Sequence, residues 1–251
     1  MRLFSLLIVA AWVCACHSAA NRPSSARADE SPAFFHLEPL KPVAELLPSA
    51  LAANPPAETG GFRPADLVEV IALDPTIKLD IRYATTRNFL STPLYSQPRA
   101  FLQRPAAQAL VRVQRSLKDE GYGLLIHDAY RPWYVTKIFW EATAPENHKF
   151  VADPSQGSRH NRGCAVDLTL VDLKSGQPIT MPSLYDEMSA RAYPTFEGGP
   201  AEPRRLRDLL RKHMEAEGFD VYEFEWWHFD YRDWRSYAIQ NTRFEDLGAA
   251  R

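Results

Sequence analysis

The sequence predicts an α+β fold, a single domain with a central, mainly antiparallel sheet and flanking helices. Three observations carry this expectation. Period-two alternation and continuous apolar runs mark strands. Apolar residues at helical spacing mark amphipathic helices. The two kinds of segment mix without regular βαβ repetition. The 251 residues suffice for one sizeable domain plus extensions. A formal net charge of -2 argues against a nucleic-acid surface built from bulk charge.

The N-terminus reads as an export signal over residues 1–20. Arg2 is followed by an apolar run over residues 3–15, short of the ~20 residues that span a bilayer as a helix. Small residues come next, as signal cleavage requires. Two processing routes compete. Val13-Cys14-Ala15-Cys16 is an imperfect lipoprotein box, which would lipidate Cys16 and attach the chain to a membrane; Ser18-Ala19-Ala20 is an ordinary cleavage site. Both place the mature protein in the periplasm or cell envelope, and an uncleaved anchor or a mistaken start is the remaining alternative. Residues 21–60 are rich in Pro and Ala with weak periodicity, and predict a mostly extended linker packing locally near Phe34 and Phe35. The folded catalytic domain is then expected over residues 61–251.

Ile77, Leu79, Ile81 and Tyr83 alternate with polar residues and predict a half-buried strand. Residues 105–120 read as a helix, with Pro105 in the first turn, Ala106, Ala109, Leu110, Val113 and Leu117 on one face, and Gly121 as the stop. Residues 122–127 follow as an apolar strand ended by Tyr130-Arg131-Pro132, and residues 134–143 as a second helix. Residues 164–171, apolar except for Asp167 and Thr169, predict a central strand. Residues 203–217 repeat the helical pattern through Leu206, Leu209, Leu210 and Met214, with Gly218 after the end. Residues 219–231, dense in aromatics, read as the last main strand.

Chemistry concentrates in two places. Ser158-Arg159-His160-Asn161-Arg162-Gly163-Cys164-Ala165-Val166-Asp167 offers an imidazole before a strand and a carboxylate within it; Glu225-Trp226-Trp227-His228 adds a second imidazole and a second carboxylate. His160, Asp167 and His228 suit one Zn2+ per chain. Three protein ligands leave the fourth position for water, the arrangement of a catalytic site. A lone Asp in an apolar strand requires a partner, and the metal supplies one. Glu225 is then the general base that takes a proton from the zinc-bound water. Residues three apart in a regular strand face opposite sides, so a bulge, a turn or a strand end is expected between Glu225 and His228. Arg131, fixed at a strand end, either stabilises developing negative charge or pins its turn through an ion pair with Asp128. Cys164 reads as a small buried hydrophobe rather than a nucleophile. His127, His148 and His213 lack a motif partner and read as structural or exposed, and Trp226 and Trp227 as packing before substrate stacking.

These residues resemble the D-alanyl-D-alanine dipeptidases of the VanX type, zinc peptidases related to D-Ala-D-Ala carboxypeptidases and L-alanyl-D-glutamate endopeptidases. All five fixed positions of the group's S-x-H-x-x-G-x-A-x-D pattern match between Ser158 and Asp167, and the ExxH element matches at Glu225 and His228. Residues 81–89, 128–132 and 185–189 also resemble the dipeptidase branch, and the similarity runs from about Leu67 to Trp234. The resemblance implies hydrolysis of D-Ala-D-Ala to two D-alanines, with Arg131 acting on the transition state. It further implies Asp186 as the partner of the substrate ammonium and Ser158 as the partner of its carboxylate. Asp186 also reads as a turn or cap residue, and Ser158 as a loop former. Two other functions stay open. One is a carboxypeptidase or endopeptidase on longer peptidoglycan peptides, against which the segment 185–189 speaks. The other is a non-catalytic zinc-bearing wall-binding module, against which Glu225 and Arg131 speak. The oligomeric state is not legible in the sequence.

Overall fold

A computed structural model describes residues 33–248. The expected export signal, the lipoprotein box at Cys16 and residues 21–32 lie outside the described residues. In chain order the elements are α1 (Val43–Ala52), β1 (Leu67–Glu69), α2 (Val70–Leu73), β2 (Lys78–Leu79), β3 (Phe101–Gln103), α3 (Arg104–Lys118), β4 (Tyr122–Asp128), α4 (Trp133–Ala142), β5 (Ala165–Asp172), α5 (Ala201–Ala216), β6 (Phe219–Tyr222) and β7 (Glu225–Tyr231). A five-stranded sheet runs in the order β2-β4-β5-β7-β6, and β1 pairs with β3 in a separate two-stranded ribbon. Within the larger sheet only the β2–β4 pair is parallel. The α+β expectation therefore holds.

The sheet and helices share one apolar core. Val166, Leu168 and Leu170 of β5 join it, together with Ala106, Leu110, Val113 and Leu117 of α3 and Leu206, Leu210 and Met214 of α5. Side chains alternate across a strand, so Asp167 and Thr169 face the other side. There the functional cavity forms.

Three expectations are corrected. Residues 77–83 do not form a strand throughout. Only Lys78 and Leu79 pair, and the chain then enters a 3-10 turn at Arg82–Ala84. Ile77, Ile81 and Tyr83 are nevertheless buried, so the alternation reported burial rather than sheet pairing. Residues 219–231 form a hairpin instead of one strand, because the chain reverses at Glu223-Phe224. That turn carries none of the Gly or Asn signals that mark tight hairpins. The expected extended linker contains α1, which buries Val43, Leu46 and Ala50 and packs on α4 despite an internal Pro48. The β1–β3 ribbon, from strands of three residues each, had no readable periodicity.

Residues after β7 also pack closely. Gln240 exchanges backbone hydrogen bonds with Trp133 and Asn161, at 3.1 and 3.0 Å. Asn241 Oδ1 accepts from the Tyr134 amide, and Phe244 is buried. Glu58 joins the two ends of the domain. Its carboxylate accepts from Arg162 and from the Ile239 amide, each at 2.6 Å.

Candidate active site

The segment 158–167 is a built corner. Ser158 opens it: its amide donates to Asn161 Oδ1 at 2.7 Å and its Oγ accepts from the His160 amide at 3.2 Å. A 3-10 turn over His160–Arg162 follows and ends at Gly163, whose φ of 68° lies in the left-handed region that favours glycine. Asn161 Nδ2 donates to the Arg131 carbonyl and to Thr136 Oγ1, each at 2.9 Å, which fixes the turn to the β4–α4 corner. The turn thus presents His160 beside the start of β5.

Strand pairing brings in the other two residues. Asp167 of β5 lies directly opposite His228 of β7. The β6–β7 register shifts between Val221 and Tyr222, so that Tyr222 faces Glu225 while Val221 faces Phe229. This irregularity, at the first residue of β7, is the break expected between Glu225 and His228. It lets both side chains reach one cavity. A second register shift, between Ile126 and Asp128 of β4, places Asp128 opposite Asp167.

Three atoms converge. His160 Nε2 lies 3.1 Å from His228 Nδ1 and 3.3 Å from Asp167 Oδ1, and His228 Nδ1 lies 3.0 Å from Asp167 Oδ1. Each ring has an outward hydrogen bond on its other nitrogen. His160 Nδ1 faces the Ala129 carbonyl at 2.6 Å, and His228 Nε2 faces Asp230 Oδ1 at 2.9 Å. A carbonyl only accepts, so His160 Nδ1 carries the proton. With each ring's single proton on its outward nitrogen, two bare lone pairs would face a third lone pair on Asp167. Asp167 Oδ1 is buried without a hydrogen-bond partner among the described residues. Such a cluster requires a shared positive charge. Burial works against charge on His228, but Asp230 and Asp167 outweigh it and lift its pKa to about 10. A proton is one way to supply the charge, and a metal cation is the other. Ligands ~2.0–2.1 Å from a tetrahedral ion stand about 3.3 Å apart, so the cluster also has the right size. The His160–Asp167–His228 set fits a metal ion.

The remaining predicted residues surround this cluster, and all seven line one cavity. Glu225 Oε2 lies 3.8 Å from His228 Nδ1. Burial, opposed by His228 and reinforced by Asp167 and Asp186, pushes the Glu225 pKa to about 8. Arg131 donates from Nε and Nη2 to Asp128 Oδ2, at 2.9 and 2.7 Å, and its guanidinium lies over the Phe139 ring at 4.7 Å. The expected ion pair with Asp128 is therefore present, and it holds the guanidinium at the cavity wall. Nη1 has no hydrogen-bond partner among the described residues. Asp186 sits at φ 61°, and Tyr83 Oη lies 3.0 Å from both of its carboxylate oxygens. No cation of the described residues is within ion-pair distance of Asp186. Burial and then the Asp167 charge raise its pKa to about 8.

A sequence profile of the D-Ala-D-Ala dipeptidase family matches residues 63–246. A D-alanyl-D-alanine dipeptidase of Escherichia coli is 32% identical over 179 residues, covering 71% of this chain and 91% of its own length. One from Enterococcus faecalis is 36% identical over 172 residues, covering 61% of this chain and 85% of its own length. One from Enterococcus faecium is 33% identical over 178 residues, covering 62% and 87%. The chain belongs to the D-Ala-D-Ala dipeptidase family.

It is therefore a metallopeptidase, and the family match contains the whole cavity described above. Several contacts around this peptidase's cavity escaped sequence reasoning. Asp230 holds His228. Tyr185 Oη donates to Asp167 Oδ2 at 2.9 Å, leaving Oδ1 to the cluster. Tyr83 serves Asp186 from a segment 103 residues earlier. The available signal was proximity: Asp230 is two residues from His228, and Tyr185 adjoins Asp186. His127, read as structural or exposed, is buried against Tyr185, with ring centroids 4.7 Å apart. Burial lowers its pKa to about 4, and it stays neutral. Cys164 is buried, and burial raises its thiol pKa to about 12, which removes it from nucleophilic chemistry.

Proposed function

We propose that this peptidase is a zinc-dependent D-alanyl-D-alanine dipeptidase that hydrolyses D-Ala-D-Ala to two D-alanines. The observation that carries the dipeptide assignment is Asp186, a carboxylate enclosed in the cavity wall beside a phenol and without a cation. A free dipeptide carries its ammonium one residue from the scissile bond and supplies that charge. A longer wall peptide carries a neutral acyl group at the same point.

His160, Asp167 and His228 hold one zinc ion per chain in this reading. Bound zinc supplies Lewis-acid polarisation of the amide carbonyl and lowers the pKa of a water molecule. Glu225, whose burial suits it to hold a proton near neutral pH, removes a proton from the attacking water and returns it to the leaving amine. Arg131 directs Nη1 toward the oxygen that gains negative charge. Asp128 has already oriented the guanidinium, so little reorganisation accompanies the reaction. Asp186 and Tyr83 receive the ammonium. Ser158 Oγ already accepts from the His160 amide, and its own proton is left to donate to the substrate carboxylate. Export, with or without lipid attachment at Cys16, completes the reading and rests on residues 1–20 alone. The mass of the mature N-terminus tests it.

The deciding experiment compares free D-Ala-D-Ala with N-acetyl-D-Ala-D-Ala on zinc-loaded protein, with and without chelator. Acetylation removes the charge that Asp186 is held for, and such a charged hydrogen bond contributes roughly 1.5–3 kcal/mol. The free dipeptide should be cleaved in a chelator-sensitive manner and the acetylated one poorly. Comparable kcat/KM for the two would replace this reading with a carboxypeptidase.

A further inference from the structure

We propose that Arg159 is a binding residue for the C-terminal carboxylate of the substrate and makes the enzyme selective for a free acid end; this rests on the dipeptidase reading above. Arg159 occupies an unconstrained position of the motif, between Ser158 and His160. Its side chain lines the same cavity as the cluster. Nε lies 3.4 Å from Asp230 Oδ2, an ion-pair distance, but it forms no hydrogen bond and is buried. Neither Nη has a hydrogen-bond partner among the described residues. Trp234 and Tyr222 flank the guanidinium, with ring centroids 5.0 and 5.9 Å from Cζ. The aromatic flanks hold the plane of the fork without using its donors. The result is an oriented cation with both terminal nitrogens free at the cavity wall.

Its placement matches a zwitterion. Tracing contacts through the site, Asp186 accepts from Tyr83, whose Oη lies 3.3 Å from Tyr185 Oη, and Tyr185 donates to Asp167. Asp167 faces His228, His228 faces Asp230, and Asp230 faces Arg159. Asp186 and Arg159 thus connect to the cluster through different members, Asp186 by way of Asp167 and Arg159 by way of His228, and all line one cavity. A dipeptide whose ammonium meets Asp186 and whose amide lies over the cluster directs its carboxylate toward Arg159. A guanidinium fork pairs with a carboxylate through two parallel hydrogen bonds. The neighbouring Ser158 hydroxyl gives a third donor but no charge. An endopeptidase substrate has a neutral amide at this point and leaves Arg159 without a partner.

The test uses zinc-loaded full-length protein and two substrates, D-Ala-D-Ala and its C-terminal amide. Wild-type enzyme should prefer the acid in kcat/KM by about 10–100-fold, as loss of a charged hydrogen-bond pair implies. Arg159→Met, which keeps the length of the stem, should lose most of that preference through a raised KM for the acid, leaving the amide little changed. Arg159→Lys should keep part of it. Zinc content, measured in parallel, should stay at the wild-type level. A Met variant that retains the wild-type acid-to-amide ratio overturns the proposal. So does one that loses zinc and slows on both substrates alike, because Arg159 would then act only by holding Asp230. A wild-type ratio near one overturns it without any variant. Wild-type enzyme that cleaves neither compound overturns the dipeptidase reading itself, and this proposal falls with it.

Discussion

Asp186 and Glu225 are carboxyl groups that the fold holds in a partly neutral state. For Asp186 the pKa rises from the ordinary 3.8 to about 8, first through burial and then through the charge on Asp167. The folded protein then holds this proton more tightly than the unfolded chain does. The stabilisation is complete below 3.8 and is lost as pH rises through about 8. Metal-free protein should accordingly lose thermal stability across this window, and Asp186→Asn should flatten the decline. Parallel melting curves at each pH would contradict the assignment. Glu225 has a different expected signature. Glu225→Ala should retain zinc and fold yet lose about 10²–10⁴ in kcat, the range that general-base catalysis supplies. Near-normal turnover by a zinc-loaded variant would remove Glu225 from the mechanism. Glu225 was legible because two His, one Asp and one Glu at motif spacing suit a hydrolytic metal site, whereas Asp186 was reached only through the family resemblance. Their supports were not legible, because Tyr83 and Asp186 meet only through tertiary packing.

At the scale of elements, the turn ending at Gly163 illustrates how local geometry controls the site. A Cβ there would lie 2.4 Å from Leu67 Cδ2, and the φ of 68° is costly for any other residue. Gly163→Ala should destabilise by at least ~1–2 kcal/mol, the usual cost of a left-handed non-glycine residue. Chemical denaturation measures this directly, and an unchanged midpoint would show that the turn relaxes freely. Helices α3, α4 and α5 and strands β4 and β5 were legible to within a few residues, because each has a strong period and a clear stop. The β6–β7 hairpin was not. Its reversal at Glu223-Phe224 sits among strand-forming aromatics, and only the incompatible facings of Glu225 and His228 betrayed a break. Helix α1 was hidden by Pro42 and Pro48, although Val43, Leu46 and Ala50 carry a short apolar stripe.

For the whole molecule, residues 33–60 are part of the packed body rather than a tether. Helix α1 lies on α4, and α4 supplies Phe139, which supports the Arg131 guanidinium. Leu46→Ala should therefore lower stability by about 2–5 kcal/mol, as buried leucine truncations do. Turnover per zinc-loaded, folded molecule should stay near wild type. A stability loss well below this range would mean that α1 is loosely attached. The pairing of Asp167 with His228 has a separate consequence for anyone handling the protein. A slip of β7 by one residue against β5 keeps the hydrogen-bonded ladder but turns His228 to the other side of the sheet. Two such register isomers would share a far-ultraviolet spectrum while only one assembles the His160–Asp167–His228 triangle. Titrating tightly bound metal against total protein therefore counts the correctly registered molecules in a preparation, a quantity to which secondary-structure spectroscopy is blind.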